Sequence, residues 1–349
     1  MELFKKVQSA IGLDIGTSMI KAVKMTLKGK SYVLDSYALV PVEPGAMQSG
    51  EIKNPSSLAQ SAAKAVNLCD PREKEVVISL PSYSILSNVL TMELMPDKQI
   101  REAVLVEAQR ISPFDISEVE IDYEVLERNQ EKKQMKVLLV IAKNDIILSF
   151  IDCMNEAGLK PVIVDVDLFS IVNIFQINYD LKKYNSCIII NIGTESSDAA
   201  FIHNGVFHSA RDIPISGNNF QTQLGFATSL PNDKVHEIIG GKIDLKMGIT
   251  PIINAFNTVS RDFANAVGVA VSYFQTSDSV DKIDLIVLSG GYANIPGLTN
   301  ILELRTGTEV MVLNPFNNIK INEKLSVDMD KEKLGSVFSV AMGLATRTY

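Results

Sequence analysis

Three short stretches carry residue types suited to holding a polyphosphate. The first is Asp14-Ile15-Gly16-Thr17-Ser18. A glycine in such a turn lets backbone N–H groups approach an anion with no side chain in the way, and Thr17 and Ser18 add hydroxyl donors. Asp14, at the strand end before the turn, suits a Mg²⁺ held through water, because that ion keeps much of its hydration shell and takes one or two carboxylates. The second stretch, Asn191-Ile192-Gly193-Thr194-Glu195, repeats the pattern 177 positions later with Asn in place of Asp. The third runs Ser289-Gly290-Gly291-Tyr292-Ala293-Asn294-Ile295-Pro296-Gly297-Leu298. A Gly-Gly turn followed by a helix with Pro296 near its start offers bare backbone and helix N-terminal amides, which suit a nucleoside and its α-phosphate. Taken singly, each stretch also reads as an ordinary hairpin or strand-to-helix turn. Two such Gly-Thr turns from opposite domains, however, can grip a triphosphate from both sides.

Two further residues stand near these turns. Lys21 follows the first turn on the next strand, where it neutralises a phosphate or points to solvent. Asp167 precedes a helix and either positions a water or caps that helix.

The elements that must position these residues follow from periodicity. Residues 11–25 and 189–201 each read as strand, Gly turn, strand, and each second strand reaches another turn, at 27–30 and at Asn204-Gly205. The latter is a two-residue hairpin signal. Both segments open a β-meander, so the chain reads as a duplicated α/β architecture whose halves face one another across a cleft. Between them the texture changes. A helix over 99–111 ends before Pro113, a hairpin spans 119–126 and 135–142 around a charged turn, and a helix over 145–157 stops at Gly158. This is a small α+β insert with one or two strands between its helices. Residues 161–165 form a buried strand and 168–177 a helix leading into the second meander. Beyond it, 217–226 reads as helix, 230–250 as a polar insert, 252–275 as a long amphipathic helix, 284–288 as a strand and 334–347 as a closing helix.

Composition sets outer limits. The 349 residues can bury a substantial core and suffice for two or three domains. With 33 Lys and Arg against 41 Asp and Glu, the chain offers no broad basic surface, which argues against nucleic acid as a partner. Cys69, Cys153 and Cys187 are few, scattered and set among apolar residues, so they read as buried thiols in a reducing cytoplasm. His203 and His208, flanking the Asn204-Gly205 turn, lack the Cys or His neighbours that a metal site needs, and His236 reads as surface. No apolar run reaches the roughly 18 to 20 residues of a membrane span. The stretch at residues 3–7 is too short to anchor in a bilayer and is expected to pack on the domain.

In this order and spacing the three turns resemble the actin, heat-shock chaperone and sugar kinase superfamily, with phosphate 1 at 14–18, phosphate 2 at 191–195 and the adenosine motif at 289–298. The resemblance implies an actin-like α/β fold, in which duplicated ribonuclease-H-like domains close around a nucleotide cleft, with ATP and Mg²⁺ as ligands. It puts Asp14, Gly16, Thr17, Ser18 and Lys21 at the nucleotide from one side. Asn191, Gly193, Thr194, Glu195, Gly290, Gly291, Tyr292 and Asn294 approach it from the other. Asp14 faces the metal, and Asp14 and Asp167 are the candidate catalytic acids. In hydrolysing members the phosphate 2 strand ends in Asp. Asn191 lacks that charge, which implies ATP binding with slow or no hydrolysis. Helices 168–177 and 334–347 take the places of the two connecting helices that cross near the hinge, and Ala341, Gly343 and Ala345 permit their close approach.

The insert narrows the resemblance further. It lies where the cell-division protein FtsA and the PilM family of type IV pilus assembly proteins carry their small subdomain. Ser112-Pro113-Phe114, Asp122-Tyr123-Glu124-Val125-Leu126, the strand at 137–143 and Ala157-Gly158-Leu159-Lys160-Pro161 are similar to landmarks of the PilM family. FtsA adds an amphipathic membrane helix after the closing helix, whereas this sequence stops at Ala345-Thr346-Arg347-Thr348-Tyr349, at the end of that helix, which favours PilM. The domains implied are 1–84 with 161–184 and 336–349, the insert 85–160, and 185–335 with a smaller insert near 228–250. The function implied is that of a cytoplasmic scaffold, peripheral to the inner membrane through its partners. It would recruit the N-terminal cytoplasmic segment of PilN beside the insert, along with other inner-membrane pilus components. An FtsA-like or actin-like self-associating filament and a small-molecule kinase stay open as alternatives. The kinase would need a catalytic Asp near a sugar site, and the zinc-binding Cys cluster usual in sugar kinases with regulatory cousins is missing.

Overall fold

The structure is a computed structural model and describes residues 10–241, 248–278, 280–323, 325 and 334–347. The stretch at 3–7 and residues 242–247 of the second expected insert lie outside the described residues.

Alternating apolar and polar residues fold the N-terminal segment into an antiparallel meander of β1 (Ile11–Ile15), β2 (Met19–Lys28) and β3 (Ser31–Pro41). A two-residue hairpin, β4 (Met47–Gln48) and β5 (Glu51–Ile52), leads to α1 (Pro55–Cys69), whose first turn is capped by Asn54 accepting from the Ser57 N–H. β6 (Glu75–Leu80) then pairs parallel with β1.

Next comes the insert: β7 (Ile85–Glu93), α2 (Asp97–Ile111), β8 (Val119–Asn129) and β9 (Gln134–Lys143). Its sheet has three strands in the order β7-β9-β8, one more than the sequence predicts. β7 has no clean alternation because neither of its faces is fully exposed or fully buried. One face packs with α2, and the other lies toward the second half of the chain through Val89. α3 (Asn144–Glu156) follows, and its Phe150, Cys153 and Met154 join the core of β1 and α1 rather than that of the insert's sheet.

After β10 (Lys160–Val166) and α4 (Asp167–Asn178) the plan repeats. β11 (Ser186–Ile192), β12 (Ser197–His203) and β13 (Val206–Ile213) form the second meander. The helices α5 (Gly217–Thr228), α6 (Asn232–Ile239) and α7 (Ile249–Asp278) come next. β14 (Leu285–Ser289), α8 (Leu298–Thr306), β15 (Glu309–Val312), β16 (Lys320–Ile321) and α9 (Ser339–Leu344) complete the chain.

The two large sheets have the same wiring. The first is ordered β10-β6-β1-β2-β3-β16 and the second β13-β12-β11-β14-β15. In each, a central strand carries an antiparallel meander on one side and parallel strands on the other. Side-chain alternation then sorts the core into layers. The inner faces of both sheets share one cluster with α4 and α9, which are sandwiched between them. The outer face of the first sheet packs on α1 and α3, and that of the second on α5, α7 and α8. The closing helix is shorter than predicted, with a 3₁₀ turn over Ser336–Phe338 ahead of α9.

Candidate functional site

A cavity of about 930 Å³ opens between the two sheets at the ends of their central strands. Its walls come from the predicted turns. Asp14, Gly16, Thr17, Ser18 and Lys21 line it on one side, and Asn191, Gly193, Thr194 and Glu195 on the other, with Gly290, Gly291 and Tyr292 beside them. Its size lies within the range of small-molecule sites.

The two meander turns are built alike. The Gly16 N–H donates to the Met19 carbonyl at 3.2 Å, and the Gly193 N–H to the Ser196 carbonyl at 2.9 Å. At each glycine an added Cβ would stand 2.9 Å from that same carbonyl oxygen, so the tight turn itself demands glycine. The turns meet across the cleft, where Ser18 Oγ and Thr194 Oγ1 lie 2.9 Å apart. The second turn is tied down by the start of α5, whose Gly217 and Asn218 N–H groups donate to the Gly193 and Thr194 carbonyls at 2.8 Å. Glu195 accepts from the Ser49 N–H at 2.8 Å, which joins the second turn to the β4–β5 hairpin.

Charges at the cleft floor are arranged in pairs and clusters. Asp14 and Lys21 stand opposite one another on β1 and β2, with Lys21 Nζ 3.0 Å from the carboxylate. Lys21 thus faces the cleft and not solvent. Asp167 lines the cavity from the first residue of α4, not from its N-cap, and accepts from the Leu168 N–H at 2.7 Å and from the Ser82 hydroxyl. Burial, only partly offset by these donors, pushes its carboxyl up to about 6, and the Asp14 charge adds to the rise. Tyr83 packs on Gly50 beside this group. Its phenol is held above the ordinary tyrosine value by burial, then by the carboxylates of Asp167, Glu195, Asp198 and Asp212.

The third turn departs from expectation in two respects. Gly290 has φ +92°, and a Cβ there would stand 2.5 Å from the Ile192 carbonyl, so glycine is required. The helix after it starts only at Leu298, preceded by Gly297 at φ +79°, and its N-terminus is not part of the cavity wall. Bare backbone at Gly290 and Gly291 lines the cavity where helix amides are expected. Asn294 is likewise not in the wall, since its amide donates to Ser336 Oγ at 3.0 Å. Tyr292 does line the cleft. Its ring lies against Gly217, its hydroxyl meets the Gln221 amide, and burial raises its phenol above the usual value.

Glycine cradles, hydroxyl donors from both sides, Lys21, and the carboxyls of Asp14 and Asp167 at the cleft floor fit a metal-bound polyphosphate. Among the described residues no cluster of three His, Cys, Asp or Glu is placed to hold a metal by protein ligands alone. His203 Nδ1 is instead 2.7 Å from Ser186 Oγ.

A family model described as type IV pilus assembly protein PilM matches residues 12–349. The chain belongs to that family. Among solved structures it is similar to the PilM-PilN type IV pilus biogenesis complex. That match has a TM-score of 0.83 and 23% identity, and covers 97% of this chain and 98% of the other. It is also similar to the ethanolamine utilization protein EutJ from Carboxydothermus hydrogenoformans, with a TM-score of 0.57, 14% identity, and coverage of 97% and 90%. The actin-like fold expected from the three turns is the fold this PilM-family chain has. No described helix is long and apolar enough to cross a membrane.

Several residues that sequence reasoning passes over complete this PilM-family cleft. Asp233, His236 and Glu237 on α6 and Met47 of the β4–β5 hairpin all line it. The spacing of the α6 residues puts them on one helix face, which is the signal available in the sequence. Read locally, that charged face is a solvated surface. Only the tertiary position of α6 turns it to the cavity.

Proposed function

We propose that the chain is an ATP-binding scaffold of type IV pilus assembly, in which nucleotide sets the closure of two lobes and closure sets affinity for a partner segment. The observation that carries this reading is the meeting of the two equivalent glycine turns, with Ser18 and Thr194 2.9 Å apart, over a cavity of about 930 Å³. Bound there, a Mg²⁺–nucleotide would supply phosphate charge and a divalent ion. Gly16, Gly193 and Gly290 leave backbone free to approach the phosphates, while Thr17, Ser18 and Thr194 offer hydroxyl donors. Lys21 is free to exchange its Asp14 partner for a phosphate, which in turn frees Asp14 for the hydrated metal. Asn191 adds no charge and Asp167 is tied to Ser82 and Leu168, so water activation is weak and turnover slow.

The partner is the N-terminal cytoplasmic segment of PilN, with family membership and the fold shared with a PilM-PilN complex in support. An extended segment beside the insert would bind by backbone and shallow apolar pockets, and would keep the chain at the cytoplasmic face of the inner membrane, near other pilus components. Calorimetric titration with a peptide copying the PilN N-terminus, with and without Mg²⁺–ATP, tests both halves. Micromolar binding that tightens with nucleotide supports the scaffold. Absence of peptide binding, combined with sedimenting assemblies in Mg²⁺–ATP, would replace it with a filament.

A further inference from the structure

Asp198 is a buried carboxyl for which the cleft as described has no use. It is 2% exposed, and as a carboxylate neither of its oxygens has a hydrogen-bond donor. An ionised group buried in that state is costly, so its place calls for a physical reason. Strand register supplies one. β11 and β12 pair Asn191 with Asp198, β12 and β13 pair Asp198 with Asp212, and β11 and β14 pair Asn191 with Ser289. Directly opposed residues project from one face of a sheet. The row Ser289, Asn191, Asp198, Asp212 therefore crosses the second sheet on the face that sends Ile189, Ala200 and Val287 toward the crossing helices.

The first lobe has the equivalent pair with different charges. Asp14 and Lys21 are seven residues apart, as are Asn191 and Asp198, and each pair is opposed across the first hairpin of its meander. In the first lobe the cleft-lining acid is answered by a lysine at 3.0 Å. In the second, the cleft-lining residue is a neutral amide with a carboxyl behind it. An amide is two-ended and offers the cleft either its oxygen or its N–H groups. Asn191 Oδ1 lies 2.7 Å from where a Cβ of Gly290 would stand, on the β14 side and away from β12. The nitrogen is the end toward β12, and in this structure it is not within hydrogen-bond distance of Asp198. With a proton between them Asp198 and Asp212 hydrogen-bond to each other. Even then Asp198 keeps an acceptor oxygen, so its use to Asn191 does not depend on its charge.

We propose that Asp198 is a positioning residue of the nucleotide site: it accepts from the Asn191 amide as the cleft loads, and so holds Asn191 Oδ1 as an acceptor toward the water shell of nucleotide-bound Mg²⁺. The inference rests on the nucleotide reading above. Outer-shell partners of direct metal ligands change metal affinity by about 10- to 100-fold, and a partner acting through a metal-bound water is expected at the lower end.

The test is calorimetric titration of the full chain with ATP, once in Mg²⁺ and once in EDTA, for wild type, Asp198→Leu and Asp198→Asn. Leucine has the same branched shape at Cγ, though bulkier, and no acceptor. Asparagine keeps a carbonyl for Asn191 and donors for Asp212. Wild type and Asp198→Asn are expected to share the Mg²⁺-dependent gain in affinity, and Asp198→Leu to lose about tenfold or more of it with metal-free affinity little changed. In Mg²⁺–ATP-saturated, ¹⁵N-labelled protein, the Asn191 side-chain amide pair, assigned by its loss in Asn191→Ser, should move downfield in wild type and Asp198→Asn. An unchanged Mg²⁺ gain in Asp198→Leu overturns the inference, as does an equal loss in both variants. If the leucine variant does not fold, a wild-type Asn191 amide pair at exposed-asparagine positions overturns it. Failure of wild type to bind ATP in either condition would sink the nucleotide reading and this inference with it.

Discussion

The backbone of Gly343 on α9 lies against the carbonyl of Ser170 on α4, so close that a Cβ at Gly343 would sit well inside van der Waals distance of that oxygen. The two connecting helices thus cross backbone to backbone, between the inner faces of the two sheets. Gly12 makes the equivalent approach from β1 to the Ala341 carbonyl. Gly343→Ala is expected to destabilise the fold by about 2–3 kcal/mol, read by urea unfolding. Gly225→Ala, inside α5 with only a Val235 methyl 4.0 Å from the added Cβ, should instead stabilise by about 0.5–1 kcal/mol.

Ser18 and Thr194 are the point at which the two turns touch. Thr194→Val and Ser18→Ala should each weaken binding of a fluorescent ATP analogue about fivefold, the equivalent of one neutral hydrogen bond of roughly 1 kcal/mol. Because the two hydroxyls share one bond and face one ligand, the double variant should lose less than the sum. Full additivity in the four-membered cycle would mean that the hydroxyls act independently.

Two acids, Asp167 in the cleft wall and the buried Asp198, set a pH dependence of stability. Burial, with the nearby Asp167 and Asp212 charges, pushes Asp198 up to about 9, and burial pushes Asp167 up to about 6, from the ordinary aspartate value of 3.8. Between 3.8 and those values the folded chain holds protons that the unfolded chain has released. Stability from these groups is therefore full below the unfolded value and falls as pH rises, by up to about 1.4 kcal/mol per unit for each group. Asp198→Asn should raise the melting temperature at pH 8 and leave it nearly unchanged at pH 4. A loss of stability at pH 8 would contradict the assignment.

The thiols of Cys69, Cys153 and Cys187 are all buried and free. Burial pushes the first two up to about 11 and the third up to about 12. Native protein at pH 8 should not react with a disulfide reagent over minutes, and in denaturant all three should react at once. Rapid labelling of one native thiol would show local opening at that site.

Much of the fold was legible because its signals are local. A glycine needed at φ +92° or against a carbonyl at 2.9 Å is a property of a few adjacent residues, and strand alternation repeats within one element. Hence the three turns, the duplicated meanders, the long helix α7 and the small residues of the crossing helices could be read from the chain alone. Tertiary packing decided the rest. β7 hides its period because two different neighbours cover its faces. α3 belongs to the 85–160 insert as read from the sequence but buries Phe150 in the first lobe's core. Asn294 sits in the third motif yet turns to Ser336, while the α6 face at Asp233, His236 and Glu237 is brought to the cavity from a segment without a motif. Ser289 stands beside Asn191 only because β14 pairs with β11, far away in sequence, in one register. Local sequence determines which backbone shapes are allowed. Which faces meet depends on pairings between distant segments, and those are settled only when the whole core is buried at once.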